Sequence, residues 1–183
     1  EMDNFLRETG IFQVILVGYS LGGQVAMQYC AEHPDQCAAL GTIASAPEPQ
    51  VPAGLMDLLN DPLAGTEVSR LMKSLVFSPN HSPSQLYDLE RQLFTARKGS
   101  LLCDWEAFHS FSQPYPTLEN THFPIWVCAG HEDRLIPPLK SRLWVPRKSL
   151  FTWNVIEHCG HGLLIERPQQ VSQAFLSWLK SLG

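Results

Sequence analysis

The sequence predicts an α/β protein: a mostly parallel sheet with helices on both faces. Apolar, β-branched runs of strand length alternate with helix-like segments at both ends of the chain. Such alternation is typical of βαβ units, and strands without polar alternation are typical of sheets covered on both faces. Residues 47–123 interrupt the alternation, are rich in Pro and Ser, and hold helical patterns only. We therefore predict an α/β core, 1–46 and 124–183, that carries a helical cap or insertion, 47–123.

Composition limits the function classes that the chain fits. Its 183 residues, 44% apolar and 17% charged, suit one globular domain or one domain with an insertion. A net charge of −5 without a basic block argues against nucleic acid and membrane partners. Its five cysteines are scattered and form no C-x-x-C pair, which predicts reduced thiols and a cytoplasmic location.

The spacing of apolar residues and the positions of Gly and Pro predict the first elements. Met2, Phe5 and Leu6 share one helical face, after which Ile11 to Val17 reads as a strand buried on both faces. A helix from Leu21 to about His33 ends at a proline, and Ala38 to Ala44 forms the next parallel strand.

The remaining elements lie in the insertion and the C-terminal part. The insertion shows two helical patterns, the second after a capping-box start at 82–85. Strands are expected at Ile125–Ala129 and Phe151–Ile156, with a short helix between them and a last helix from about Pro168. The apolar positions are Val68, Leu71, Met72 and Leu75, then Leu86, Leu89 and Leu93, and in the last helix Val171, Ala174, Phe175, Trp178, Leu179 and Leu182.

A G-x-S-x-G motif lies where the first strand becomes a helix. The motif alone is weak, and a glycine-rich turn without chemistry also fits it, but this context is the one that presents a serine as a nucleophile. We expect Gly18 and Gly22 to give Ser20 room at a strained corner, and Gly23 to let the helix pack closely.

A serine needs a base, and the base needs an orienting acid. Asp133 and His161 each follow a predicted strand, in the order serine, acid, histidine. Because the carboxyl ends of parallel strands share one rim of the sheet, we expect the three side chains to converge there.

Three segments, VILVGYSLGGQVAMQYCAEHPD, PIWVCAGHEDRLIPP and IEHCGHGLLIERPQQVSQAFLSWL, resemble the α/β-hydrolase family of serine esterases and acyl hydrolases. The resemblance implies Ser20 as nucleophile, Asp133 as acid, His161 as base and the Leu21 backbone N–H as one oxyanion donor. It implies no metal and no organic cofactor. The segment CDWEAF also resembles one that precedes the acid strand in several family esterases.

The loop of the predicted acid and the loop of the predicted base each contain a second candidate for that role. Glu132 adjoins Asp133, and His158 precedes His161. The family patterns G-x-x-D-x-x-x-P and G-H-x-x-x-x-E-x-P favour Asp133 and His161.

One departure from the family concerns the N-terminal side. The second oxyanion donor would lie in a loop that precedes Glu1 and is absent from this chain, together with early strands worth roughly 70 to 100 residues. The segment from Phe12 to Val17 would then be a sheet edge. We expect such a chain to aggregate or to form a homodimer through that edge, with negligible esterase activity.

The predicted function is hydrolysis of an ester or related acyl bond of a small molecule, through a Ser-His-Asp triad and an acyl-enzyme. Alternatives are a C–C bond hydrolase, an aminopeptidase or a perhydrolase of the same fold, or an inactive truncated fragment. Four aromatic residues of the insertion fit an acyl pocket and core packing equally well: Trp105, Phe108, Phe111 and Tyr115.

Overall fold

A computed structural model describes residues 2–47, 52–61, 63–81, 84, 87, 98–110, 118, 121–144 and 150–183. Strands and helices alternate in it, as predicted. In chain order the elements are α1 (Met2–Thr9), β1 (Val14–Tyr19), α2 (Leu21–Glu32), a 3-10 turn (Pro34–Gln36), β2 (Cys37–Ile43), α3 (Leu55–Asn60), α4 (Gly65–Val76), α5 (Lys98–Ser110), β3 (Ile125–Gly130), α6 (Pro138–Leu143), β4 (Phe151–Ile156), α7 (Leu163–Glu166) and α8 (Pro168–Ser181).

The strands form one parallel sheet in the order β1-β2-β3-β4. Strand β2 pairs with β1 through Leu16↔Leu40 and with β3 through Leu40↔Ile125. Because every strand runs in the same direction, the ends of β1, β3 and β4 open onto one rim. The predicted fold class is confirmed.

Apolar side chains cover the two faces of the sheet and form two cores. The first core joins the sheet to α2, α3, α4 and α5, and the second joins the other face to α8. In the second core Trp126 of β3 stacks on Trp178 with ring centroids 5.6 Å apart, which places the predicted apolar stripe of the last helix against the sheet. Representative members are Met27, Leu40, Leu59, Met72, Trp105 and Val127 in the first core, and Ile43, Trp126, Cys128, Val171 and Trp178 in the second.

The described helices of the insertion belong to the first core. Trp105 and Phe108 of α5 are buried there and meet edge-to-face at 5.3 Å, which favours core packing for this pair. Phe111 and Tyr115 lie outside the described residues, as does the second helical pattern around Leu86, Leu89 and Leu93. The cap as a separate unit, 47–123, stays a prediction.

The first strand differs from its prediction. It spans Val14–Tyr19 and pairs only with β2 among the described residues. Ile15 is 43% exposed and Val17 is 40% exposed, so burial on both faces is wrong for this strand. Phe12, just before the strand, is 87% exposed. The apolar run alone predicted full burial because an edge strand and an inner strand can carry the same run, whereas the expected sheet edge agrees with the position of β1 at the end of the strand order.

This edge generates a prediction about self-association. Backbone groups of an exposed apolar edge can pair with another strand, and a charge on the edge opposes that pairing. Replacing Phe12 and Ile15 together by Lys is therefore expected to shift the protein toward monomer, as measured by size-exclusion chromatography with light scattering over a concentration series.

The matched control is Leu176→Lys, because Leu176 is also exposed (53%) but lies on α8, away from β1. That variant should associate as the parent protein does. A parent protein that stays monomeric at every concentration would contradict the prediction.

Candidate active site

The turn between β1 and α2 holds Ser20 in a strained backbone conformation. Its φ of 52° and ψ of −122° lie in a region that non-glycine residues rarely adopt. The Ser20 N–H donates to the Ile43 carbonyl at 2.9 Å, and the Gly23 N–H donates to the Ser20 carbonyl at 2.9 Å. Strand β2 and helix α2 thus hold Ser20 from both sides, and its hydroxyl is presented at the rim of the sheet.

Two of the three glycines around the turn are required by close approach. A Cβ on Gly18 would overlap the Gly22 carbonyl, and a Cβ on Gly23 would lie 2.5 Å from the Ser45 Cβ. A Cβ on Gly22 would meet nothing within 4 Å. The prediction that Gly22 provides room is therefore wrong: the Gly22 backbone occupies the space that Gly18 leaves.

The structure brings the three predicted side chains into one chain of hydrogen bonds. His161 Nε2 lies 2.9 Å from Ser20 Oγ, and His161 Nδ1 lies 2.9 Å from Asp133 Oδ2. A carboxylate only accepts, so Nδ1 carries the proton and Nε2 is left to accept from the Ser20 hydroxyl. Asp133 and His161 are buried, and Ser20 is half-buried.

Asp133 is fixed by backbone donors of its own loop. Its Oδ1 accepts the N–H groups of Leu135 at 2.9 Å and Ile136 at 2.8 Å. The other oxygen, Oδ2, is left to face the imidazole. A short loop after β3 therefore sets both the position and the orientation of this carboxylate.

The two alternative candidates, Glu132 and His158, contact other groups. Glu132 accepts a hydrogen bond from the Ser78 hydroxyl at 2.6 Å. His158 has a side chain that is 73% exposed, and its Nδ1 lies 3.9 Å from Glu132 Oε1. Neither side chain is bonded to Ser20 or His161 in the hydrogen bonds of the described residues.

A buried network behind the triad was not predicted from the sequence. Glu166 accepts the N–H of Gly160 at 2.8 Å and the N–H of Ser78 at 3.0 Å. Burial raises the pKa of Glu166 above its ordinary value, and the two N–H donors oppose that rise. The only trace in the sequence was the glutamate of the histidine-loop pattern, which marks the position without its partners.

The parts of the chain that the structure describes contain no metal-binding cluster and no membrane-spanning helix. Within them no three His, Cys, Asp or Glu side chains are grouped so that they could hold a metal ion. No helix in these parts has the length and apolar character that crossing a membrane requires.

Comparison with protein families gives a match over nearly the whole chain. A sequence model described as "Alpha/beta hydrolase family" matches residues 1–174. Among curated proteins, the chain is 26% identical over 191 residues to the pimeloyl-[acyl-carrier protein] methyl ester esterase of Salmonella newport (strain SL254). That alignment covers 93% of this chain and 71% of the relative.

Solved structures show the same fold. A thermophilic esterase from Thermogutta terrifontis superposes with a TM-score of 0.83 at 19% identity, covering 99% of this chain and 70% of that one. The esterase EaEST from Exiguobacterium antarcticum gives a TM-score of 0.81 at 16% identity, with 98% and 71% covered. At these identities the likeness establishes the fold alone.

The glycine geometry generates a prediction about stability. Gly18→Ala forces a Cβ into the Gly22 carbonyl, and we expect a loss of about 1–3 kcal/mol in the free energy of unfolding. Gly22→Ala is the matched control, since its Cβ meets open space and alanine favours helix by up to about 1 kcal/mol. Urea unfolding measures both. Equal losses for the two variants would show that the close approach at Gly18 is not the cause.

Proposed function

The chain belongs to the alpha/beta hydrolase family and is a hydrolase, and from this premise we propose that it is a serine esterase that acts through Ser20, His161 and Asp133. The observation that carries the proposal is the pair of 2.9 Å hydrogen bonds that joins Ser20 to His161 and His161 to Asp133. Such a chain of nucleophile, base and orienting acid is what activates a serine hydroxyl.

In the proposed reaction Ser20 Oγ bonds to the ester carbonyl carbon while its proton passes to His161 Nε2. The tetrahedral intermediate then collapses: the bond to the alkoxy oxygen breaks, and that oxygen leaves as the alcohol with the proton from His161. Water attacks the resulting acyl-enzyme and gives a proton to Nε2. The ester bond to Ser20 breaks, the proton returns to Oγ, and the carboxylic acid is released.

Asp133 supports this proton transfer without taking the proton. Its buried carboxylate accepts from His161 Nδ1, and this keeps Nε2 in the form that accepts from Ser20. When the imidazole becomes an imidazolium, the negative charge 2.9 Å away stabilises it.

The negative charge of the intermediate needs donors of its own. Leu21 is the first residue of α2, so its backbone N–H has no acceptor within the helix. This group follows Ser20 directly, and the N-terminal end of the helix dipole favours an anion there. We assign the Leu21 N–H to the oxyanion.

The ester class rests on the curated relative, which is named for a methyl ester. We extend to this chain only the bond that is cleaved, a carboxylic ester, and we propose a small molecule as the substrate that carries it. A short-chain p-nitrophenyl ester contains that bond and reports its cleavage directly.

This proposal predicts the kinetics of three substitutions. In a parent protein that also carries the second oxyanion donor expected from the sequence, Ser20→Ala, His161→Gln and Asp133→Asn should each lower kcat for p-nitrophenyl acetate by about 10³-fold or more, because triad members act as a unit. A fluorophosphonate should label the parent protein at Ser20, and His161→Gln should slow that labelling.

Matched controls test whether position matters more than residue type. His158→Gln and Glu157→Gln change exposed groups of the same types near the rim, and both should keep kcat within about twofold. The assignment fails if Ser20→Ala keeps a tenth of the parent activity, or if the parent protein neither turns over the ester nor accepts the label.

A further inference from the structure

Tyr19, the last residue of β1, contacts the residue that we assign as the base. Its hydroxyl donates to the His161 backbone carbonyl at 3.1 Å. Its ring lies beside the imidazole, with centroids 5.4 Å apart and planes tilted by 42°. The next residue in the chain is Ser20, so the strand that presents the nucleophile also touches the base.

We propose that Tyr19 is a positioning residue: its hydroxyl holds the His161 backbone so that Nε2 stays within hydrogen-bond distance of Ser20 Oγ. This inference rests on the proposed function. It assigns no proton transfer to the phenol, since that hydroxyl bonds to a backbone carbonyl and not to a reacting atom.

The chemistry of the phenol suits this role. Burial, with smaller contributions from Asp133 and Glu166, raises the pKa of Tyr19 above its ordinary value. The hydroxyl therefore keeps its proton and remains a donor to the carbonyl. An ionised phenolate could not donate, and it would place a negative charge beside the acid of the triad.

The loop that carries His161 needs such a hold. Glycines stand on both sides of the histidine, and glycine leaves the backbone more freedom than any other residue. Hydrogen bonds from outside this tripeptide restrain its backbone, and two of them run from the N–H groups of Ile165 and Glu166 to the Gly162 carbonyl. Gly160 N–H donates to Glu166, Gly162 N–H donates to the Val76 carbonyl at 2.7 Å, and the His161 carbonyl accepts from Tyr19.

Of these backbone bonds, only the one from Tyr19 joins the histidine loop to the strand that precedes Ser20. The bonds to Glu166 and Val76 fix the loop relative to α7 and α4. The bond to Tyr19 fixes it relative to the residue before Ser20, which controls the distance that proton transfer depends on. A displacement of the order of 1 Å at such a site can cost about 100-fold in rate.

The competing explanation is that Tyr19 only fills space, since its ring also packs against the second core. Tyr19→Phe separates the two roles because it removes one oxygen and keeps the ring. We expect kcat for p-nitrophenyl acetate to fall about 3- to 10-fold, the range that one hydrogen bond spans, with KM changed less than about twofold. The matched control is Tyr29→Phe, which removes a hydroxyl that donates to Gln36 at 2.6 Å in a buried part of α2. It should leave kcat unchanged.

A double-mutant cycle decides whether Tyr19 acts through the imidazole. His161→Ala keeps the backbone carbonyl but has no ring to position. In that background Tyr19→Phe should leave the residual rate unchanged, whereas a general structural role would reduce it by the same factor as before. An equal factor in both backgrounds, or a kcat within twofold of the parent for Tyr19→Phe alone, overturns the proposal. If His161→Ala itself leaves kcat unaltered, the proposed function fails, and the role of Tyr19 fails with it.

Discussion

The strained corner at Ser20 is the constraint on which the rest of the structure depends. A strand that becomes a helix within one residue forces a positive φ on that residue, and the fold must hold it there. It does so with the backbone bond from Ser20 to Ile43 of β2 and with the tight packing of Gly18 and Gly23. The pairing of β1 with β2 and the packing of α2 on the sheet therefore both fix the position of the Ser20 hydroxyl. The Tyr19 contact extends this, because the same strand end also reaches the histidine loop.

A second constraint links the insertion to the triad through Ser78. Its N–H bonds to Glu166 behind the histidine loop, and its hydroxyl bonds to Glu132, the neighbour of Asp133. Ser78 is the second residue after the end of α4, and it is fully buried. A movement of the insertion at Ser78 therefore displaces both the loop that carries Asp133 and the loop that carries His161.

What the sequence could predict is what depends on local pattern. The bounds of β2, β3 and β4 to within about one residue, the elbow motif and the order of Ser20, Asp133 and His161 follow from periodicity and from the geometry of parallel sheets. Contacts between distant residues leave no such pattern: Glu166 and Ser78 are 88 positions apart, and Tyr19 and His161 are 142 apart. The error at Gly22 has the same origin, because a motif shows which positions are glycine but not which of them has a close neighbour. The apolar run of β1 does not show that one of its faces is exposed, and the expectation of a sheet edge came from comparison with the family pattern, since exposure depends on what lies beside the strand.

The two buried carboxylates of the rim divide their oxygens in the same way. Asp133 uses Oδ1 for the backbone of its own loop and Oδ2 for His161, and Glu166 uses Oε1 for the histidine loop and Oε2 for the insertion. Each carboxylate is thus held by backbone N–H groups, whose positions are fixed by the fold. Burying a carboxylate is costly unless its oxygens find donors, and here the donors are the loops that must be kept in place. The hydrogen bonds that offset the cost of burying these two carboxylates are therefore the same bonds that align His161 with Ser20.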